Sequence, residues 1–438
     1  NGDSFTIHRM LQEVVKSRTP DERHPQWVEQ VTQLVCDFVP KEIAENPSTW
    51  GIWDMLRPHA ETLIGYSNTD FRIQANLNLL DSLGALYYGK GLYSTSLDLE
   101  QKALKIAETR FASDSSELAH YYLSCGESLR VLGRANEAEQ MFRKSLAIRE
   151  KINGPQSELY ASNLNYLAIA LGNQEKNHEA EALLRNCVKI YESCHSTNNR
   201  GYTNCLHNLA IAVIDQNPDE AECLFRKSIE IKELVFGTDH LFTLLSVANL
   251  GNLLAKKGNF QEGERLLQRA ICGCERLQHP YLGIFLGFLA NALENRGQYK
   301  DAEYYYRRAL EMYETIPGYY ESSINCNNNL AKLLCKKGDY AGAETLFRRA
   351  LAICEKVLGN EHPNTARTLH NMGELFHSMG DHGGAESHLS RALAIKEKVL
   401  GKEHLDTGAS INSMALLLKS KGNYVDAEML SRRALDIC

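Results

Sequence analysis

The chain has 438 residues, with 48 Lys plus Arg against 55 Asp plus Glu, a formal net charge of -7. At 43% hydrophobic and 24% charged it has the composition of a folded protein, long enough for two or three globular domains or one repeat array. The mild acidic balance excludes capture of duplex nucleic acid or an anionic membrane by bulk charge. No apolar run reaches spanning length and residues 1–20 hold no signal-peptide core, so neither a membrane nor a nucleic-acid partner is expected.

Taken in order, the chain opens at Asn1 without an initiator Met, as expected of a piece of something longer. Residues 4–15 (SFTIHRMLQEVV) read as a short β-like stretch running into an amphipathic helix. A further helical pattern surrounds Trp50, Trp53, Leu56 and His59. Twelve cysteines are scattered without a C-x-x-C pair, and Cys272 and Cys274 cannot face one another on a helix. They read as free, mostly buried thiols in a reducing compartment, which places the protein in the cytoplasm; a disulfide framework is the alternative.

Self-comparison then decides the architecture. AETLFRRALAICEKVLGNEHP (343–363) returns as AESHLSRALAIKEKVLGKEHL (385–405), and related copies start at 96, 138, 180, 221, 263, 302 and 427. The steps between these anchors are 42, 42, 41, 42, 39, 41, 42 and 42 residues. Each copy reads as two helices around a turn such as Lys337-Gly338-Asp339-Tyr340, where Gly closes the first helix and Asp opens the second. Three positions per copy stay Gly, Ala, Ser or Cys in all nine. The first lies eleven or twelve residues before the anchor (Gly84 through Ala415), the second is the anchor itself (Ser96 through Ala427), and the third lies seven residues after it (Ala103 through Ala434). Small residues recur where helix axes approach closely.

The pattern resembles tetratricopeptide (TPR) repeats, above all the 42-residue kind of kinesin light chain and nephrocystin-like proteins, over 67–438 and nearly verbatim at 327–363. The resemblance implies an all-α fold, a right-handed α-solenoid of nine helix pairs. Glu175 and Gln216 depart from it where the turn Gly is expected, and the second of these turns is a residue shorter around Asn217 and Pro218. Ahead of the array, Ile7-His8-Arg9 is similar to the Met-His-Asp-type motif that ends the winged helix of STAND-class (NB-ARC) ATPases, with Arg9 in place of the usual acid. That likeness implies a winged-helix remnant over 1–19, with His8 as the nucleotide-sensing candidate, and a helical linker over 20–66.

Chemistry in this chain is not expected. No GxxxxGK[ST], HExxH or GxSxG occurs, and the glycines of Gly89-Lys90-Gly91 fall in the turn of the first pair. His370, His377, His382 and His388 read as groove or surface histidines rather than metal ligands, since only His370 and His377 share a helix face. We therefore expect no metal and no cofactor; ATP or ADP is expected only with an upstream NB-ARC domain.

What remains is a binding surface. In a TPR stack the first helix of each pair lines the concave groove. Offsets of three and four residues then select Asn204, His207, Asn208, Asn249, Asn252, Asn291, Asn295, Asn325, Asn328, Asn329, Arg367, His370, Asn371 and Asn412. An amide both donates and accepts, so it can pair with an extended peptide backbone whatever its side chains. Asn is a poor helix-interior residue, so its recurrence on one face needs a cause: ligand binding, or bracing between neighbouring repeats. Two functional classes follow. One is a protein- or peptide-sensing C-terminal region that acts on an upstream NTPase domain of the same chain, with oligomerisation on activation. The other is a constitutive cargo or assembly adaptor like kinesin light chain. The last copy keeps an apolar outer pattern (Met429, Leu430, Leu435, Ile437), and we expect more chain or a partner to cover it.

Overall fold

The computed structural model describes residues 35, 50–65, 73–174, 176–315 and 319–437. Among them there is no strand, and the helices are α1 (Trp50–Gly65) followed by nine pairs. The pairs are α2 (Ile73–Gly89) with α3 (Tyr93–Arg110), α4 (Ser116–Val131) with α5 (Ala135–Asn153), and α6 (Glu158–Gly172) with α7 (Asn177–Ser193). Next come α8 (Arg200–Val213) with α9 (Pro218–Phe236), α10 (Leu241–Lys256) with α11 (Phe260–Leu277), and α12 (Leu282–Asn295) with α13 (Tyr299–Thr315). The last three are α14 (Tyr320–Lys336) with α15 (Tyr340–Ile353), which runs on as a π-helical turn (Cys354–Leu358), α16 (Pro363–Ser378) with α17 (His382–Val399), and α18 (Leu405–Ser420) with α19 (Tyr424–Ile437). The chain divides into two compact units, Asn1–Thr197 and Asn198–Cys438. The first holds α1 to α7 and the second α8 to α19.

The punctuation within each pair follows from the backbone. Gly91, Gly133, Gly258, Gly297, Gly338, Gly380 and Gly422 close first helices at φ between 76° and 88°, a region that costs other L-residues energy. Asp339 and Asp381 then cap α15 and α17, accepting the Gly342 and Gly384 N–H at 2.9 Å. In the fourth repeat, where the Gly is missing, Asn217 caps α9 by accepting the Glu220 N–H and Pro218 supplies the first helical residue. Glu175 lies outside the described residues. Between pairs, His240, His362 and His404 cap α10, α16 and α18 by accepting backbone N–H groups at Nδ1. Thr243, Thr365 and Thr407 donate back to the Gly237, Gly359 and Gly401 carbonyls at 2.8–2.9 Å.

The small positions do what close packing requires. All of them are buried, from Gly84 to Ala434. A Cβ on Gly126 would lie 2.4 Å from the Phe142 ring, and one on Gly373 would lie 2.5 Å from Leu389 Cγ. The residue four after each anchor thus seats against the small residue of the first helix. At the third small position, Ser145, Cys187 and Ser228 also donate to the carbonyls of Ala119, Ala161 and Thr203 on the partnering first helix. Second helices are tied along the outside by ion pairs one repeat apart, such as Arg269–Glu233, Arg308–Glu275 and Arg433–Glu397. Each exposed pair contributes little singly.

At the N-terminal side, α1 falls within the region read as a helical linker, of which 20–34, 36–49 and 66 lie outside the described residues. Ala60 and Leu63 pack with Val35 against Leu79, Leu83 and Leu86 of α2, and Lys90 pairs with Asp54 at 2.5 Å. The winged-helix reading of 1–19, His8 included, lies outside the described residues.

Candidate peptide-binding groove

The first helices carry every selected residue, and within the second unit the structure sorts them by how their polar atoms are used. One set joins neighbouring repeats. Asn328 is 3% exposed; its Nδ2 donates to Thr368 Oγ1 at 3.0 Å, and its Oδ1 accepts from Asn371 Nδ2 at 3.3 Å. Asn329 Nδ2 donates to Asn291 Oδ1 at 3.2 Å, and that same oxygen accepts the Tyr306 hydroxyl. Arg367 donates to Asn325 Oδ1. His370 Nδ1 lies 3.1 Å from Ser410 Oγ, while its Nε2 faces Glu374 at 3.3 Å. His207 is buried, with Nδ1 2.9 Å from Ser246 Oγ and its ring edge-on to Phe225. Burial holds its pKa well below the ordinary value. Three of these contacts, Asn328–Thr368, His370–Ser410 and His207–Ser246, share one offset: the residue three before a small position meets the residue five before the next repeat's small position.

The second set is spent differently or not at all. Asn249 donates to its own helix at Leu245 O, 3.0 Å. Asn208 is half-buried. Asn204 and Asn252 are half-buried, Asn295 and Asn412 are exposed, and these four make no hydrogen bond to the described residues. Around them the surface is mixed: Ile211 is 45% and Leu416 49% exposed on the same helical face. Between the seventh and eighth repeats cations gather. Burial lowers the Lys332 pKa, with Arg367 and Lys336 adding to the shift and Glu374 and Glu294 opposing it.

The structure also brings in residues that the offset rule skips. Ser246, Thr368, Ser410 and Ser413 supply the hydroxyls that the braces need, and Lys232 reaches Ser246 from the second helix. In the first unit Asn163 accepts from Ser145 Oγ at 2.6 Å, and His120 pairs with Asp81 at 2.9 Å. The signal available for Ser246, Thr368 and Ser410 was their own register, five residues ahead of a small position. The histidines considered as metal ligands do not converge: His377 faces Ser420 at 3.1 Å, His388 the Gly384 carbonyl at 2.7 Å, and the buried His382 Nδ1 has no hydrogen-bond partner among the described residues. No group of three or more His, Cys, Asp or Glu among the described residues is placed to hold a metal ion.

A stack of helix pairs with small-residue contacts and a polar, hydrogen-bonding first-helix face is a repeat scaffold without a catalytic constellation among the described residues. A family model described as tetratricopeptide repeat matches residues 116–193, 159–234, 236–315, 323–398 and 379–438, well over half of the chain. The chain belongs to the tetratricopeptide repeat family. Human tetratricopeptide repeat protein 19, mitochondrial, is 29% identical over 99 residues, 23% of this chain and 26% of that protein. The chain thus spans about a quarter of the curated relatives it matches. Among solved structures, a Rap protein complexed with competence and sporulation factor aligns at TM-score 0.50 and 12% identity over 95% of this chain and 98% of that one. A putative kinesin light chain of Podosopora anserina with nearly identical TPR-like repeats aligns at TM-score 0.38 and 20% identity, over 46% of this chain and 96% of that one. These likenesses are ones of fold.

Proposed function

We propose that this chain is a protein- or peptide-binding TPR scaffold whose first-helix face in the second unit receives an extended segment, and that it is the ligand-sensing C-terminal region of a STAND-class signalling NTPase in the cytoplasm. The observation that carries the binding reading is the unspent set of amides. Asn204 and Asn252 are half taken out of water yet bond to no described residue. Their amide atoms are not buried, so a peptide backbone's N–H and C=O can pair with them without breaking a brace. The Rap protein among the structural neighbours is complexed with a factor of its own, which is consistent with this use of the fold. The sensor reading is supported by Ile7-His8-Arg9 and by the helix containing Trp50 and Trp53 ahead of the first repeat.

The binding reading is tested by panning a displayed library of unstructured peptides on the chain and re-measuring the winners on Asn204→Ala/Asn252→Ala. Neither amide braces the fold, so the variant should melt with wild type and bind about 10- to 100-fold more weakly, roughly 1–3 kcal/mol. Equal binding by the variant refutes the groove. The sensor reading is tested on the full-length reading frame: a GxxxxGK[ST] sequence upstream and altered basal nucleotide exchange in His8→Ala are expected. A full-length frame without such a sequence leaves the adaptor class.

A further inference from the structure

Three positions recur together at the joints between repeats. One lies three residues before the small position of a first helix, one five residues before the small position of the next repeat, and one eleven residues after the anchor on the intervening second helix. Between the seventh and eighth repeats they are Asn328, Thr368 and Cys354, with Thr368 Oγ1 3.0 Å from the amide and 3.8 Å from the thiol. Between the eighth and ninth they are His370, Ser410 and Lys396, and here acids are at hand. Glu374 faces His370 at 3.3 Å, and Lys396 donates to the Asp406 carbonyl at 3.1 Å, with the Asp406 carboxylate favouring its charge. Between the fourth and fifth they are His207, Ser246 and Lys232. Lys232 is 1% exposed and donates to Ser246 Oγ at 3.0 Å, the same oxygen that His207 Nδ1 approaches at 2.9 Å. Ser246 can send its own proton to the Phe242 carbonyl, 3.3 Å away.

One hydroxyl between two bases in a dry joint can serve one cation. The neighbours offer no relief. From α8 come His207 and Arg200, whose guanidinium lies 4.4 Å over the Phe242 ring; from α9 comes Lys232 itself; α10 contributes Phe242 and Ser246, and no carboxylate acts on either base. We infer that the joint between the fourth and fifth repeats is proton-sensitive: acidification charges it and loosens α8 and α9 from α10. The joint of the seventh and eighth repeats, built on the same register with Asn, Thr and Cys, is the counterpart with no base at these three positions, its nearby cations Lys332 and Arg367 lying outside the register.

The direction follows from linkage. Burial, with Arg200 adding, pushes Lys232 from 10.5 down to about 7, whereas an opened joint returns it to its ordinary value. Between those two values the open form holds one more proton, so the closed joint weakens about tenfold for each pH unit lost. Below about 6.5 His207 continues the trend, because burial and Lys232 keep it neutral in the closed joint and water lets it charge in the open one. Both groups act in one direction. Because α8 carries Asn204 and Asn208, and α10 carries Asn249 and Asn252, the joint sets the spacing of those amides.

The test is amide hydrogen exchange on the whole chain at steps from about pH 9 to about pH 6, corrected for intrinsic chemistry. Helices α14 and α16 serve as the reference within the same molecule. Opening of α8 and α10 should increase about tenfold per unit from pH 9 to pH 7, more steeply than the reference, where the lowering of exposed Lys332 is opposed by Glu374 and Glu294. His207→Asn/Ser246→Thr/Lys232→Cys copies the seventh joint and should flatten the slope, as should Lys232→Met if it folds. Parallel wild-type profiles for the two joints overturn the inference whatever the variants do. So does a folded Lys232→Met that keeps the slope.

Discussion

Asn327 offers the sharpest test of how these repeats are filled. Four residues before each small position of a first helix, the chain places Leu80, Tyr122, Leu164, Leu206, Val247, Leu286, Asn327, Leu369 and Ile411. Eight fill a packing slot, and the ninth is an amide that is 0% exposed. Its Nδ2 donates to the Ser323 carbonyl at 2.8 Å and lies 3.4 Å from Ser323 Oγ, but its Oδ1 is buried with no partner. An orphaned buried acceptor costs about 1–3 kcal/mol. Asn327→Leu removes that cost and adds buried apolar area, about 1–2 kcal/mol of transfer free energy. Against this stand about 1 kcal/mol for the lost Nδ2 bond and some crowding from a larger side chain. Net stabilisation of about 1–2 kcal/mol is expected, read as a higher urea midpoint at unchanged slope, with α14 and α15 more protected from exchange. A loss of more than about 1 kcal/mol would refute the reasoning and show that the slot around Asn327 is shaped for an amide.

Further outcomes follow from the same accounting. Glu100 occupies the slot four residues after the anchor where Phe142, Phe225 and Leu389 sit in other repeats; burial raises it from 4.5 to about 7, and its Oε2 has no partner. Its folded pKa is the higher one, so stability is lost as pH rises from about 4.5 to 7; Glu100→Gln should remove that slope and gain about 2–3 kcal/mol above neutrality in pH-dependent melts. Asn328→Ala and Asn371→Ala should each cost about 1–2 kcal/mol and couple by more than about 0.5 kcal/mol in a double-mutant cycle; additive losses would mean that the two amides do not brace. Gly338→Ala, at φ 83°, should cost about 1 kcal/mol in denaturant titrations, and a neutral result would deny the left-handed turn.

The repeat period, the nine helix pairs and the small contact positions were legible because they are local and repeated. A Cβ has no room beside Phe142 or Leu389, so the chain must write Gly at 126 and 373. The fate of each polar residue was not. Offsets of three and four choose a helix face about 100° wide, and within it one side chain can end in water and the next in the joint. His207 and Asn204 were selected together; the structure buries the first against Ser246 and leaves the second half-open. Asn327 and Glu100 were readable, since each breaks a column of apolar residues, but a search for recurring patterns passes over the single exception.

On the proposed reading, bracing and binding divide the amides rather than compete for them. A primary amide has two donors and two acceptor sites. Asn328 spends both ends on Thr368 and Asn371 and is sealed from water, so its replacement is felt as stability. Asn291 spends its oxygen twice, on Tyr306 and Asn329, which turns its remaining donors outward only if its NH2 is left over. Asn204 and Asn252 spend nothing on the described residues, and they sit on α8 and α10, at either side of the joint that Lys232 and His207 make sensitive to protons. A ligand held by those two amides would bridge the joint, so binding should favour the closed form, release protons and lower the pH at which the joint opens. That reciprocity is required by linkage: whatever proton uptake does to the groove, groove occupancy must do to proton uptake.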